Sequence, residues 1–95
     1  MKITVDFLSL PNIVKKVGSK TIVLDFSGTT VNDLVREVAG KYGSDVQKFL
    51  LDEGGNLDMH LGVAINRQDW IRQNEMDRPL RDGDRVTILM LVAGG

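Results

Sequence analysis

Thr30-Val31-Asn32-Asp33-Leu34-Val35-Arg36-Glu37-Val38-Ala39-Gly40-Lys41-Tyr42 is the stretch on which the architecture turns. Val31, Leu34, Val35, Val38, Ala39 and Tyr42 fall at i, i+3, i+4, i+7, i+8 and i+11, one apolar stripe along an α-helix. Thr30 stands where an N-cap belongs, with Asp33 three residues on in a variant of the capping box, and Gly43 is placed to terminate the helix. Gly40, inside the helix, costs about 1 kcal/mol against alanine and is expected to mark a close packing contact. The stripe reads as core rather than as a cofactor-binding face.

Everything around this helix alternates with the period of a strand. Before it, residues 2–8 place Ile3, Val5 and Phe7 on one face and Lys2, Thr4 and Asp6 on the other, and residues 20–26 turn Ile22, Leu24 and Phe26 inward. Pro11-Asn12 is expected to break the first strand, and Lys15 to Ser19 to form a turn centred on Gly18, giving an antiparallel hairpin. After the helix, Ser44-Asp45 is expected to cap a short second helix through Val46, Phe49 and Leu50, followed by a loop with Gly54-Gly55-Asn56 at its tip. Strands are expected at 62–66, with Val63 and Ile65 inward, briefly at Trp70-Ile71, and at 85–91, with Val86, Ile88 and Met90 on one face. Asn66 to Asp69 supplies one turn, and Arg81-Asp82-Gly83-Asp84 a tighter one in which Gly83 adopts positive φ.

The order is therefore β-β-α-(short helix)-β-β-β. One main helix must cover one face of the sheet, which makes a two-layer α+β domain. The expected fold is a β-grasp, or ubiquitin-like, domain over residues 1–90. Its mixed sheet carries the 86–90 strand parallel to the 3–7 strand, with one main helix and one short helix. Residues 91–95 are expected to form a flexible C-terminal Gly-Gly tail.

Composition narrows the function. Lys and Arg number 12 against 13 Asp and Glu, a net charge of −1, so no basic excess exists to neutralise a phosphate backbone, and nucleic-acid binding is not expected. Met1 to Asp6 meets an acidic residue before a signal-peptide core could form, and no apolar run reaches membrane-spanning length, so the expected location is cytoplasmic, with no membrane partner. The absence of cysteine removes disulfides, thiolate metal sites and cysteine nucleophiles. The one histidine, His60, has only Asp58 nearby, too little for a metal site, and reads as solvated. No nucleophile elbow or phosphate loop is present. The chain is expected to have no catalytic residues and no bound cofactor, its partners supplying the catalysts.

What remains is the end of the chain. Val92-Ala93-Gly94-Gly95 follows directly on the last strand. Two glycines in a row can enter a slot too narrow for any side chain, and four residues span roughly 14 Å at about 3.5 Å each, enough to place a carboxylate in a partner's active site. Leu89 and Leu91 alternate with the inward Ile88 and Met90, so they point away from the helix. With Val23 or Ala64 nearby they are expected to make an apolar partner-docking patch, unless loop 52–61 covers that face. Trp70 is of a type enriched in interface anchors, but is expected to pack over the edge of the sheet. Arg67, Arg72, Arg78, Arg81 and Arg85 read as solvated charges.

Three segments together resemble a known family: Ala64-Ile65-Asn66-Arg67-Gln68-Asp69, then Pro79-Leu80-Arg81-Asp82-Gly83-Asp84-Arg85-Val86-Thr87-Ile88, then Val92-Ala93-Gly94-Gly95. An Asp-Gly-Asp turn leading into an apolar strand that ends in Ala-Gly-Gly is similar to the sulfur carriers of the MoaD/ThiS type. These include the molybdopterin synthase small subunit, the thiamine sulfur carrier, and carriers used in cysteine or homocysteine synthesis. Met90-Leu91 stands where molybdopterin-type carriers usually have prolines. The thiamine carrier is usually shorter and lacks a segment like 44–60; that segment, together with Val86-Thr87-Ile88-Leu89, looks nearer the amino-acid-synthesis carriers. The resemblance implies that an E1-like adenylating enzyme activates the Gly95 carboxylate with ATP, and that a sulfur donor then leaves a thiocarboxylate there. Gly94, Ala93 and Val92 would thread the enzyme's channel, and a sulfur-accepting synthase or sulfhydrylase would take the sulfur. A covalent protein modifier shares the adenylation step and stays open as an alternative. So does a noncovalent β-grasp interaction module.

Overall fold

A computed structural model of the chain describes residues 1–91. Its elements run β1 (Lys2–Leu8), α1 (Pro11–Val17), β2 (Thr21–Asp25), α2 (Val31–Lys41), α3 (Ser44–Leu50), β3 (Leu61–Ile65), β4 (Asp69–Ile71), a 3₁₀ turn at Gln73–Glu75, and β5 (Arg85–Met90). The strands make one mixed sheet in the order β2-β1-β5-β3-β4. The last strand is thus central. It runs parallel to β1, with Val5 opposite Val86 and Phe7 opposite Ile88, and antiparallel to β3, with Val63 opposite Ile88. This is the β-grasp arrangement, as the alternating pattern and single long helix require.

The inner sheet face supplies Ile3, Val5, Val63, Val86 and Ile88, and α2 supplies Leu34, Val35 and Val38; all eight are wholly buried in one core. The capping box at the start of α2 is complete: the Asp33 N–H donates to Thr30 Oγ1 at 3.2 Å, and Asp33 Oδ2 accepts from the Thr30 N–H at 3.1 Å. Those N–H bonds, from Thr30 and then Thr29, hold the Asp33 carboxyl below its ordinary range. Gly40 departs from expectation. A methyl group there would touch nothing within 4 Å, so it faces solvent and marks no packing contact.

The segment between β1 and β2 is a helix rather than a loop and turn. Pro11 begins it, where the missing N–H costs nothing, and Gly18 ends it at φ 92° with its N–H donated to the Val14 carbonyl. Burial of Leu10 and Ile13, with Val14 and Val17 packed partly against the core, holds this short helix in place. α3 also differs in detail. Gly43, not a Ser44 or Asp45 side chain, occupies its N-cap, and Val46 and Leu50 are buried as expected.

Two turns fix the sheet register. At Arg81–Asp84, Gly83 has φ 89°, its N–H donates to the Lys2 carbonyl at 2.8 Å, and the Lys2 N–H donates to Asp82 Oδ1 at 2.6 Å. This stitch starts the parallel pairing of β5 with β1. At the β3–β4 turn, Asn66 and Arg67 both have positive φ, 53° and 57°. Asn66 Oδ1 accepts from the Arg85 N–H at 2.8 Å, joining that turn to the start of β5. Among the described residues, no helix is long and apolar enough to cross a membrane.

Candidate functional site

The sheet face away from α2 is open, and its rows follow from register. Leu8 lies opposite Leu89, which lies opposite Gly62, so one row across β1, β5 and β3 is apolar. Leu8 is 55% exposed and Leu89 half-buried. Beside Gly62, the Leu91 side chain folds onto the sheet, remaining 45% exposed. The Leu91 N–H donates to the His60 carbonyl at 2.8 Å, extending the β3–β5 ladder one residue past β5. Leu91 also borders a groove of about 440 Å³ whose other walls include Met59, Leu61, Trp70 and Met76.

Leu89 and Leu91 therefore do share one apolar surface, but with other neighbours than expected. Val23 lies in the row of Thr4 and Arg85, separated from Leu8 and Leu89 by the polar row of Asp6 and Thr87, and Ala64 is buried. Leu8 and Met59 take their places. Leu8 was legible: period two puts it on the face of Lys2, Thr4 and Asp6, where an apolar residue stands out. Trp70, at the sheet edge, is 61% exposed rather than packed down. The tip of loop 52–61 does not cover this face, because the Arg36 side chain on α2 donates from Nε to the Gly55 carbonyl at 3.0 Å and ties the tip to the helix side. The tail residues Val92, Ala93, Gly94 and Gly95 lie outside the described residues.

The polar row contains a charge that sequence patterning missed. Asp6, 8% exposed, accepts from Thr21 Oγ1 at 2.8 Å and from Arg85 Nη1 at 2.8 and 2.6 Å, with Thr87 Oγ1 at 3.4 Å and Arg67 Nη2 at 3.7 Å. Burial opposes ionisation of Asp6, yet the hydrogen bonds from Arg85 and Thr21 and the charges of Arg85 and Arg67 together keep its carboxyl below the ordinary value. Arg67 and Arg85 are thus not simply solvated, nor is Arg78, whose Nη2 lies 2.9 Å from Asp69 Oδ2. His60 places Nδ1 2.6 Å from Asp58 Oδ1, which also accepts the His60 N–H. That backbone bond first, then the ring contact, lowers the Asp58 pKa. Among the described residues, no three His, Asp or Glu side chains gather so as to hold a metal ion.

The arrangement is an exposed apolar row that runs to Leu91, the last described residue. The ThiS family model matches residues 11–95. The chain belongs to the ThiS family. It is 29% identical over 97 residues to sulfur carrier protein CysO of Mycobacterium tuberculosis, an alignment covering all of both chains. It is 30% identical over 80 residues to small archaeal modifier protein 3 of Haloferax volcanii, covering 83% of this chain and 85% of that one. Among solved structures, a chain of the Amycolatopsis orientalis BexX/CysO complex is 27% identical with a TM-score of 0.69, covering 98% of this chain and 99% of that one. This ThiS-family chain is thus similar to small sulfur carriers and ubiquitin-like modifiers, on a shared β-grasp fold.

Proposed function

We propose that this chain is a sulfur carrier whose Gly95 carboxylate is adenylated and then converted to a thiocarboxylate. The observation that carries the reading is positional. β5 delivers the chain out of the sheet at Leu91, at the end of the apolar row Leu8–Leu89, so that row lies beside the point where the last four residues begin. The family match that continues to Gly95 and the end-to-end likeness to a sulfur carrier support it.

A carboxylate is a poor electrophile because attack on it must expel oxide. In the proposed reaction a carboxylate oxygen of Gly95 attacks the α-phosphorus of ATP and pyrophosphate leaves. A sulfide-equivalent donor then attacks the acyl carbon and AMP leaves, so sulfur replaces one oxygen. An E1-like adenylating enzyme supplies the ATP site, and a synthase or sulfhydrylase accepts the sulfur, in cofactor synthesis (molybdopterin or thiamine) or amino-acid synthesis (cysteine or homocysteine). The carrier is a co-substrate that holds no cofactor of its own, working in the cytoplasm where ATP is available. The likeness to an archaeal modifier favours a second reading, in which a lysine amine of a target attacks the same adenylate and forms an amide.

Intact mass after incubation with the adenylating enzyme, ATP and sulfide tests both. Replacement of one oxygen by sulfur supports the carrier. A chain extended past Gly95 should remain unmodified, since its former carboxylate is an amide. Conjugates to lysine without any thiocarboxylate would favour the modifier, and no change in either chain would overturn both readings.

A further inference from the structure

Gly62 lies in the interior of β3, flanked by buried Leu61 and Val63 and paired with Leu89 of β5. Its backbone lies outside the left-handed region, so any residue could adopt it. Glycine in a strand interior costs ordering entropy and gives up a side chain that could pack, and it commonly marks a close approach. Here the approaching group is Leu91: a Cβ at position 62 would lie 2.8 Å from Leu91 Cδ2 and 3.1 Å from its Cγ. Leu91 therefore occupies the volume a side chain at 62 would fill. Its backbone is held as well, through the N–H donated to the His60 carbonyl.

From these two attachments we infer that Gly62 is a positioning residue, a notch that seats Leu91 and sets the direction in which the terminal residues leave the sheet. The inference rests on the proposed adenylation of Gly95. Only four residues separate Leu91 from the carboxylate, a reach of roughly 14 Å, so a shift of Leu91 moves the origin from which that reach is measured. Displacements of about 1 Å at a reacting centre can cost on the order of a hundredfold in rate. Gly62 itself presents no side chain to a partner, so it acts through Leu91, whose displacement bears on docking as well as on orientation.

The experiment is carrier-dependent ATP–pyrophosphate exchange by the adenylating enzyme, using the full chain and its Gly62→Ala, Leu91→Ala and doubly substituted forms. The atoms that the added methyl group would strike are the far end of a flexible, half-exposed leucine, so Gly62→Ala should melt close to the parent while displacing Leu91. A kcat lower by roughly tenfold or more is expected, with any rise in KM for the carrier reading the share of Leu91 in docking. In the Leu91→Ala background the same substitution should cause no further loss, because its target is gone. An unchanged kcat for Gly62→Ala overturns the notch, as does an equal loss in both backgrounds. Should Gly62→Ala melt early, Leu91→Ala alone decides: the notch is overturned if its kcat is unaltered. Absence of exchange with the parent chain overturns instead the adenylation reading, and the notch's role with it.

Discussion

Arg85 of β5 places Nη1 2.8 and 2.6 Å from the two carboxylate oxygens of Asp6 on β1. The pair bridges the parallel pairing of β1 with β5, and Thr21 and Thr87 donate to the same carboxylate. A charge only 8% exposed on an open sheet face is thereby solvated by protein groups instead of water. The pair also divides the face, leaving an apolar row on one side and Val23 on the other.

Arg85→Ala should destabilise the fold, because it leaves the Asp6 charge with two threonine hydroxyls and the distant Arg67. Breaking a fully buried pair costs several kcal/mol, but the Arg85 side chain is 38% exposed and water can replace part of its contribution. A loss of about 1–2 kcal/mol in urea denaturation at neutral pH is expected. Asp6→Asn, which removes the buried charge while keeping an acceptor, should cost less.

Acid should weaken the same link. The Asp6, Asp33 and Asp58 carboxyls are all held below their ordinary value in the folded chain. Groups depressed on folding contribute stability that is present above their unfolded pKa, about 4, and is lost as pH falls through the folded value. Denaturation midpoints should therefore be flat from neutrality down to roughly pH 5 and fall below about pH 4. In Asp6→Asn the acid-dependent fall should be shallower, which chemical denaturation at a series of pH values would show.

The main helix offers a direct test of the core. Leu34 is wholly buried on the stripe that faces the sheet. Leu34→Ala should cost about 2–5 kcal/mol, the transfer of the lost methyl groups plus the cavity left behind. A change well under 1 kcal/mol would mean that α2 presents another face.

Much of this architecture was legible because it rests on periodicity. Val31, Leu34, Val35 and Val38 repeat every three or four residues, and Val86 and Ile88 every two, so each declares its face without knowledge of its neighbours. Helix α1 escaped because it is only seven residues long and carries little stripe. Its punctuation was nonetheless present, with Pro11 at the first turn and Gly18 just past the end. The Asp6–Arg85 pair and the Gly62 notch depend on register between residues far apart in sequence, which no local pattern encodes. The apolar surface was half legible for the same reason: alternation turned Leu89 and Leu91 outward, but only strand pairing exchanges Val23 for Leu8 beside them. The chemistry proposed for the tail rests on a motif, not on packing.

That exchange of neighbours supplies the sharpest test of the proposed docking on this face. Leu8 and Val23 are both largely exposed residues on the same side of the sheet, at 55% and 62%, so an aspartate at either should be tolerated by the fold. They differ in place: Leu8 sits in the apolar row beside Leu89, while Val23 lies across the Asp6 row near the opposite edge. If the row that ends at Leu91 is where the adenylating enzyme docks, Leu8→Asp buries a charge in that interface. KM for the carrier in ATP–pyrophosphate exchange should then rise by roughly tenfold or more, the scale of an interface hot spot. Val23→Asp should leave KM within about twofold, as expected for a residue at or beyond the rim. Thermal melting of both variants separates loss of docking from loss of fold. Equal effects of the two substitutions, or a larger one at Val23, would move the interface to the β2 side of the sheet and away from the root of the tail.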